Sequence, residues 1–413
     1  MRALLISHYF EPENGAPQRR WGSLGRELSD LGVELHVFCP PPHYPTGRLA
    51  LRDRERYRPG SREWLTPSLI IHRVGFIPHR GDVASRTADH VWTAISTYGA
   101  VCRHISRYGR PELIIATAPA LESVVVASRL ARRFHLPLIV EMRDAWPDLV
   151  SHIVPARQDS RQRPHAAWLK VAIHRYVTHL QRAADHVVTT TASFAEVLQA
   201  RGVAHVSVIR NGTIPERYEV LSTAVRQGSG LRALYMGTVG RSQGLEVVVK
   251  AALSLREEGV PIELRIVGHG KDVSRLRQMA TGSGVEVIPA VAKNEVAQHY
   301  DWADTTIVSL RDWAPFTWTV PSKLYELLAV GKHITAIVAG EAKGIVELTQ
   351  AGVVVPPGNV TALMNEWRRL ARTRSDLEIS RKGRAWIREN ADYPALARSY
   401  RTIFRSLTDR PRS

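Results

Sequence analysis

Short apolar runs alternate with amphipathic segments along the whole chain. The runs at 3–6, 34–38, 69–74, 112–116, 138–141, 186–190 and 207–209 are four to six residues or nearly so, apolar and bounded by polar or turn-forming positions. They read as strands. A second set follows at 233–236, 263–267, 285–288, 306–309, 335–338 and 353–355. The gaps carry helical periodicity; Trp21, Leu24, Leu28 and Leu31, for example, fall on one helical face. Strand and helix in strict alternation predict parallel βαβ units. The expected fold class is therefore α/β, with two doubly wound, Rossmann-like domains facing a cleft and ligands at the carboxyl ends of the strands.

A mostly polar stretch at 215–230, ending Gln227-Gly228-Ser229-Gly230, marks a boundary. It divides a first domain, 1–214, from a second, 215–393. The final helical pattern follows Pro394 and has no strand after it. Segment 394–413 is expected to cross back onto the first domain. A length of 413 residues suits two cores better than one.

Composition changes this picture little, and charge changes it more. The two cysteines, Cys39 and Cys102, argue against a disulfide framework or a thiolate metal site. The N-terminus reaches Ser7-His8 too soon for a signal peptide, and Glu326, Lys332 and His333 interrupt the apolar stretch 324–340. No run approaches the ~20 residues of a bilayer span. A cytoplasmic protein, peripheral at the inner face of the membrane at most, is expected. The formal net charge is +17, of which residues 1–215 hold +10 from 28 basic and 18 acidic side chains. Such a field favours phosphates, acidic sugars, nucleic acid or anionic lipid. An arginine-rich genome is the plain alternative. No zinc finger, RNP signature or basic helix supports nucleic acid.

Four loops can present backbone N–H groups to an anion. Tyr9 to Pro17, containing Gly15, leads into a helix whose first turn holds Arg19 and Arg20. Cations there oppose the helix dipole, a cost that a bound anion would offset. Met236 to Gly244 contains Gly237, Thr238 and Arg241, whose guanidinium can fork onto a diphosphate. Val267-Gly268-His269-Gly270 is a tight strand exit or a plain turn. Pro321-Ser322-Lys323-Leu324-Tyr325-Glu326 opens a helix that stops at Gly331. Lys323 stands at the wrong helix end for a cation, with Glu326 one turn on. Either the two form a local ion pair, or Lys323 binds phosphate while Glu326 accepts from a ribose diol.

At these residues the chain resembles the retaining glycosyltransferases of family 4, of GT-B fold, and most of all the subgroup that builds bacterial surface polysaccharides. The matching stretches are His43 to Gly47, Arg143 to Pro147, Arg210-Asn211-Gly212, Gly237 to Gly244, Val267 to Gly270 and Pro321 to Glu326, in the family's order. The resemblance implies a hexosyl- or related transferase of the EC 2.4 class, acting with front-face substitution and retention. It implies Arg241 and Lys323 on the donor diphosphate, Glu326 on the ribose, backbone around Val291 at the base, and Gly15 near phosphate. The nucleotide sugar, UDP-sugar favoured, is a substrate, and no cofactor is implied. The acceptor would be lipid-linked or polysaccharide, or else a soluble small molecule. The chain departs from the pattern at 316–319, where the family usually carries another glutamate, and at Gln243 and His269. A catalytically weakened scaffold is the corresponding alternative. A related phosphorylase would need a pyridoxal-binding lysine that is not found.

No D-x-D pair occurs, and the 17 histidines are scattered without metal-ligand spacing. No metal is expected. Fixed positive groups, Arg241, Lys323 and helix N-termini, must then carry the leaving diphosphate's charge. Asp144 is a candidate to orient acceptor or sugar hydroxyls, unless it and Arg143 form a buried structural pair. The basic segment with Arg52, Arg54, Arg56, Arg58 and Arg62 reads as one loop suited to an anionic membrane surface. Leu169, Ile173, Tyr176 and Leu180 read as one apolar helical stripe.

Overall fold

The computed structural model describes residues 1–13, 15–44, 46–49, 53–149, 164–218, 224–226, 228–292 and 294–409. Two compact units result, Met1–Arg210 with Tyr393–Ser413, and Asn211–Asp392. In the first, the strands are β1 (Arg2–Ile6), β2 (Glu34–Cys39), β3 (Arg62–Thr66), β4 (Leu69–Arg73), β5 (Leu113–Thr117), β6 (Leu138–Met142), β7 (His186–Thr189) and β8 (Val206–Val208). The helices among them are α1 (Ala16–Asp30), α2 (Val83–Tyr108), α3 (Leu121–Phe134), α4 (Pro164–Arg182) and α5 (Ala192–Ala200). The sheet runs β3-β4-β2-β1-β5-β6-β7-β8. Every neighbouring pair is parallel except the edge hairpin β3–β4. Strands β4, β5 and β6 are buried at every position, as helices on both faces require.

The second unit has a six-stranded, wholly parallel sheet. Its strands are β9 (Leu231–Thr238), β10 (Ile262–His269), β11 (Glu286–Ile288), β12 (Thr305–Ser309), β13 (His333–Ile337) and β14 (Gly352–Val355), in the order β11-β10-β9-β12-β13-β14. Its helices are α6 (Glu246–Glu257), α7 (Val273–Met279), α8 (Val296–Trp302), α9 (Ser322–Val330), α10 (Gly340–Thr349), α11 (Val360–Arg372) and α12 (Lys382–Asn390). The last helix, α13 (Tyr393–Thr408), belongs to the first unit and packs on α1.

One polar junction ties the first unit together. Glu141 on β6 is fully buried. Its Oε1 accepts from Arg20 Nε at 2.8 Å and from the Tyr400 hydroxyl of α13. Its Oε2 accepts from Trp21 Nε1 and from Thr117 Oγ1, each at 2.7 Å. Arg20 also donates to the carbonyls of Ile209, at 2.9 Å, and Arg210. Burial alone would raise the Glu141 carboxyl, but Arg20 and Arg143 outweigh it and hold it below the ordinary range. Burial likewise opposes the Arg20 charge, and Glu141 and Tyr400 overcome it. The anion expected at Arg20 is therefore replaced by an internal carboxylate. Arg19, its neighbour, is exposed.

Two other expectations change. Arg62 lies in β3, opposite His72, not in a loop. The strand is a half-exposed edge whose apolar signal is correspondingly weak. Arg54, Arg56 and Arg58 are exposed on the preceding turns, and Arg52 lies outside the described residues. Among the described α4 side chains Val177, Leu180 and Gln181 are buried, Ile173 is half-buried and Tyr176 is 46% exposed, so the packed face is rotated from the expected stripe, of which the Leu169 side chain lies outside the described residues.

Breaking a buried ion pair on one side leaves the other charge without compensation, at a cost of about 3–5 kcal/mol. Glu141→Gln should lower the stability of the first unit by that amount in urea unfolding followed by tryptophan fluorescence. Because the folded carboxyl lies below its unfolded value, its contribution is present above the ordinary carboxylate range and fades as pH falls through the folded value. The variant should therefore lose part of the wild type's sensitivity to acid. Equal stability of the two proteins at neutral pH would refute this role for the pair.

Candidate functional site

In the second unit the carboxyl ends of β9, β10 and β12 gather the glycine loops. Gly237 and Gly268 are register partners where β9 and β10 end. A Cβ on Gly268 would stand 1.8 Å from the Gly237 carbonyl oxygen, and Gly268 has φ +156°. Only glycine allows the two backbones to run this close while leaving the strand ends bare. A Cβ on Gly237 would lie 3.6 Å from Lys323 Cε, so the lysine stem passes over this bare backbone. Thr238 closes β9, and its carbonyl accepts from the Tyr235 hydroxyl at 2.6 Å.

Helix α9 begins at Ser322, one place later than expected, with Pro321 in the N-cap position rather than the first turn, and is capped by Gly331. Its first turn holds Lys323, whose Nζ is 2.8 Å from Glu326 Oε2. The other Glu326 oxygen accepts from the Tyr300 hydroxyl of α8 at 2.6 Å. A lysine at the positive end of a helix, steadied by a carboxylate that a tyrosine holds in turn, is set for an anion that can outbid the local pair. Nothing in the sequence singled out Tyr300, which is brought to the site only by the packing of α8.

Arg241 opens a short 3-10 helix, Arg241–Gln243, after Gly240. Its guanidinium is exposed, while its carbonyl accepts from Arg311 Nε and so fixes the loop against the chain after β12. Gln243, in place of the family's lysine, folds back so that its side-chain oxygen accepts from the Gly240 N–H at 3.1 Å. Val291 is half-buried on the loop that follows β11, the edge strand two places from β9. At a strand spacing of ~4.8 Å, those strand ends stand about 10 Å apart.

Gly15 and Asp144 belong to the first unit. Gly15 is the N-cap of α1 at φ −122°, an ordinary value, so its conformation does not itself demand glycine. Asp144 follows β6. Burial raises its carboxyl, against a lowering by Arg143. Arg143 donates to the Ala118 carbonyl at 3.0 Å and lies 3.8 Å from Glu141. Arg143 thus faces Glu141 and the β5 exit, with Asp144 as a further charge partner.

The first unit also assembles a group that the sequence did not reveal. His8 lies just beyond β1, His43 beyond β2, Asp89 and His90 on α2, and Glu122 in the first turn of α3. His8 Nδ1 is 3.1 Å and His90 Nδ1 2.9 Å from Glu122 Oε1. His43 Nε2 is 3.2 Å from Asp89 Oδ2, and its Nδ1 faces the Pro41 carbonyl at 2.7 Å. Burial would raise Glu122, but His8 and His90 hold it at about 2. Burial would lower His43, but Asp89 and the Pro41 carbonyl raise it. Both His43 nitrogens face acceptors, which favours the protonated ring. The His43 to Gly47 stretch is anchored here: Glu13 Oε1 accepts from the N–H groups of His43 and Tyr44 at 2.7 Å. Gly47, at φ +73°, has no room for a Cβ, which would meet the His79 carbonyl oxygen at 2.2 Å.

Comparison with known proteins places these features in a family. Residues 15–212 match the glycosyl transferase 4-like domain, and residues 230–373 match glycosyl transferases group 1. A putative colanic acid biosynthesis glycosyl transferase of Escherichia coli K12, WcaI, is 25% identical over 389 residues, covering 88% of this chain and 90% of its own. Among solved structures, sucrose-phosphate synthase of Thermosynechococcus elongatus superposes with a TM-score of 0.76 at 18% identity, over 99% of both chains. Anabaena HepE, solved with UDP-glucose, does so with a TM-score of 0.67 at 15% identity, over 98% of this chain and all of that one. Two family models spanning most of the chain, on two parallel α/β units whose strand ends carry the glycine loops, make this protein a glycosyltransferase of GT-B fold, with a glycosyl transferase 4-like domain followed by a group 1 domain.

Proposed function

We propose that the chain is a retaining glycosyltransferase that takes its sugar from a nucleoside-diphosphate donor, UDP-sugar by preference, in cell-surface polysaccharide or glycolipid synthesis. The observation that carries the reading is Lys323 held by Glu326 over the bare strand end at Gly237 and Gly268. The diphosphate lies on this backbone, with Lys323 and Arg241 as its cations. On donor binding Lys323 turns to phosphate, and Glu326 accepts from the ribose hydroxyls. The base reaches the loop at Val291, a span that fits the strand spacing. As the anomeric C–O bond breaks, charge grows on the leaving diphosphate and the two cations stabilise it. The acceptor oxygen bonds to the same face of the anomeric carbon, and its proton passes to the departing diphosphate oxygen. Asp144, raised by burial, orients a sugar or acceptor hydroxyl. No divalent metal takes part in this step.

Removing one such stabilising group costs about 10²–10³ in turnover. Lys323→Ala and Arg241→Ala should each show this loss, with an unchanged circular dichroism spectrum and no rescue by Mg²⁺ or Mn²⁺. Near-normal turnover in both would sink the assignment.

The base is named by melting temperature in UDP, GDP, ADP and dTDP. A ligand at 100 times its dissociation constant stabilises by ~2.7 kcal/mol, so UDP should give the largest rise. A larger rise with any other nucleotide would reassign the donor.

A lipid-linked acceptor requires access to a membrane surface. Among the described residues no helix is long and apolar enough to cross one. Helix α2 leaves Val91, Trp92 and Ile95 exposed, and residues 1–215 carry +10. Such a face can rest on anionic lipid, with each nearby arginine contributing ~1 kcal/mol. The protein should sediment with acidic vesicles at low salt and be released at high salt. Equal recovery in the supernatant with acidic and neutral vesicles at low salt would exclude the membrane and favour a soluble acceptor.

A further inference from the structure

Three histidines from three elements meet inside the first unit: His36 on β2, His72 on β4 and His104 on α2. All three are buried. One nitrogen of each lies within 4.8 Å of the others. His36 Nδ1 is 2.9 Å from His72 Nε2, and the His104 ring centre is 4.6 Å from that of His36 and 5.0 Å from that of His72. Among the described residues neither ring nitrogen of His104, itself only 5% exposed, has a hydrogen-bond partner. Burying an imidazole in this state costs free energy, which a ligand on its nitrogens would offset. Glu34 Oε1 lies 2.8 Å from His36 Nε2. The carboxylate accepts the Nε2–H, which fixes the tautomer and turns the Nδ1 lone pair inward.

We propose that His36, His72 and His104 form a binding site for a borderline transition-metal ion, Zn²⁺ by preference, which staples β2, β4 and α2. Three neutral imidazoles are a zinc ligand set, and a carboxylate on the far nitrogen of one ligand is the usual outer support. Metal–nitrogen bonds of 2.0–2.1 Å put the donors of a tetrahedral site ~3.3 Å apart, a separation these rings reach by small side-chain rotations. Arg2 and Arg62 face the cluster and disfavour any cation held by charge alone. They select against Mg²⁺ and Ca²⁺, which need oxygen ligands, and for ions that bond strongly to imidazole. The site lies within the sheet layer, and its role is structural; the transfer chemistry does not pass through it.

The test uses the full-length protein, stripped with EDTA and dialysed. Zn²⁺ is titrated against a chromophoric chelator, Co²⁺ is added to a second sample for its visible spectrum, and melting temperature is followed with Zn²⁺. The wild type should bind stoichiometrically, melt higher with Zn²⁺ and give the intense bands of tetrahedral Co²⁺. His104→Phe should lose more than ~100-fold in affinity, and Glu34→Gln ~10–100-fold. Glu122→Gln, which alters the His8 and His90 group instead, should bind as the wild type does. Absence of a Zn²⁺-dependent rise in the wild type, or unchanged affinity in His104→Phe, overturns the proposal. Loss confined to Glu122→Gln does so too, by moving the ion to the other cluster. Should His104→Phe not fold, unchanged affinity in Glu34→Gln is itself decisive against the site.

Discussion

Glu141 is a carboxylate with no access to water, and the first unit is organised around keeping it charged. Desolvation alone would neutralise it. Four donors prevent that, one each from Arg20, Trp21, Thr117 and Tyr400. They come from α1, β5 and α13, and Arg20 also reaches the exit of β8 through the Ile209 and Arg210 carbonyls. A buried pair of this kind is weak evidence for stability, since hydrophobic replacement is often neutral. Its effect here is geometric. Each donor satisfies Glu141 from one direction only, so α1 and α13 have one seating against the sheet.

The second unit positions its residues by a different device. Instead of a charged hub it uses backbone proximity. Gly237 and Gly268 let β9 and β10 end without side chains, and the space above them is filled by the stem of Lys323. The lysine is costly where it stands, at the positive end of α9, and the structure meets that cost locally with Glu326, itself held by Tyr300. An i, i+3 pair on an isolated helix is worth only ~0.2–0.5 kcal/mol, and this one is part-buried. The local pair holds the lysine and the carboxylate together beside the bare strand end at Gly237.

These two devices explain what the sequence made legible. Parallel strands buried on both faces read as uninterrupted apolar runs, so β1, β4, β5 and β6 stood out, whereas β3, a polar edge strand, did not. Glycines at strand exits and a lysine at a helix start are local signals, visible at one position each. Arg20 is the opposite case. From sequence it is a cation at a helix N-terminus, the same description that fits Lys323. The two differ only in what lies beyond the helix: a carboxylate 121 residues away for Arg20, bare backbone for Lys323. Tyr300 and the His8, Asp89 and Glu122 group were hidden for the same reason.

The histidines extend this argument to function. Spread over the chain they have no ligand spacing, yet parallel topology places residues of β2, β4 and α2 side by side. The two histidine clusters then differ in the acids they contain. At the carboxyl edge, His8, His43 and His90 share Asp89 and Glu122, whose oxygens lie between the rings as direct neighbours. Around His36, His72 and His104 the one acid, Glu34, sits outside the rings and takes the His36 Nε2–H, so that His36 Nδ1 accepts from the His72 Nε2–H, a proton that a bound metal would replace. A carboxylate between imidazoles stabilises protons; a carboxylate behind one exposes a lone pair. The same residue types thus make a polar surface at the strand ends, where ligands of α/β sheets bind, and a metal-accepting core within the layer.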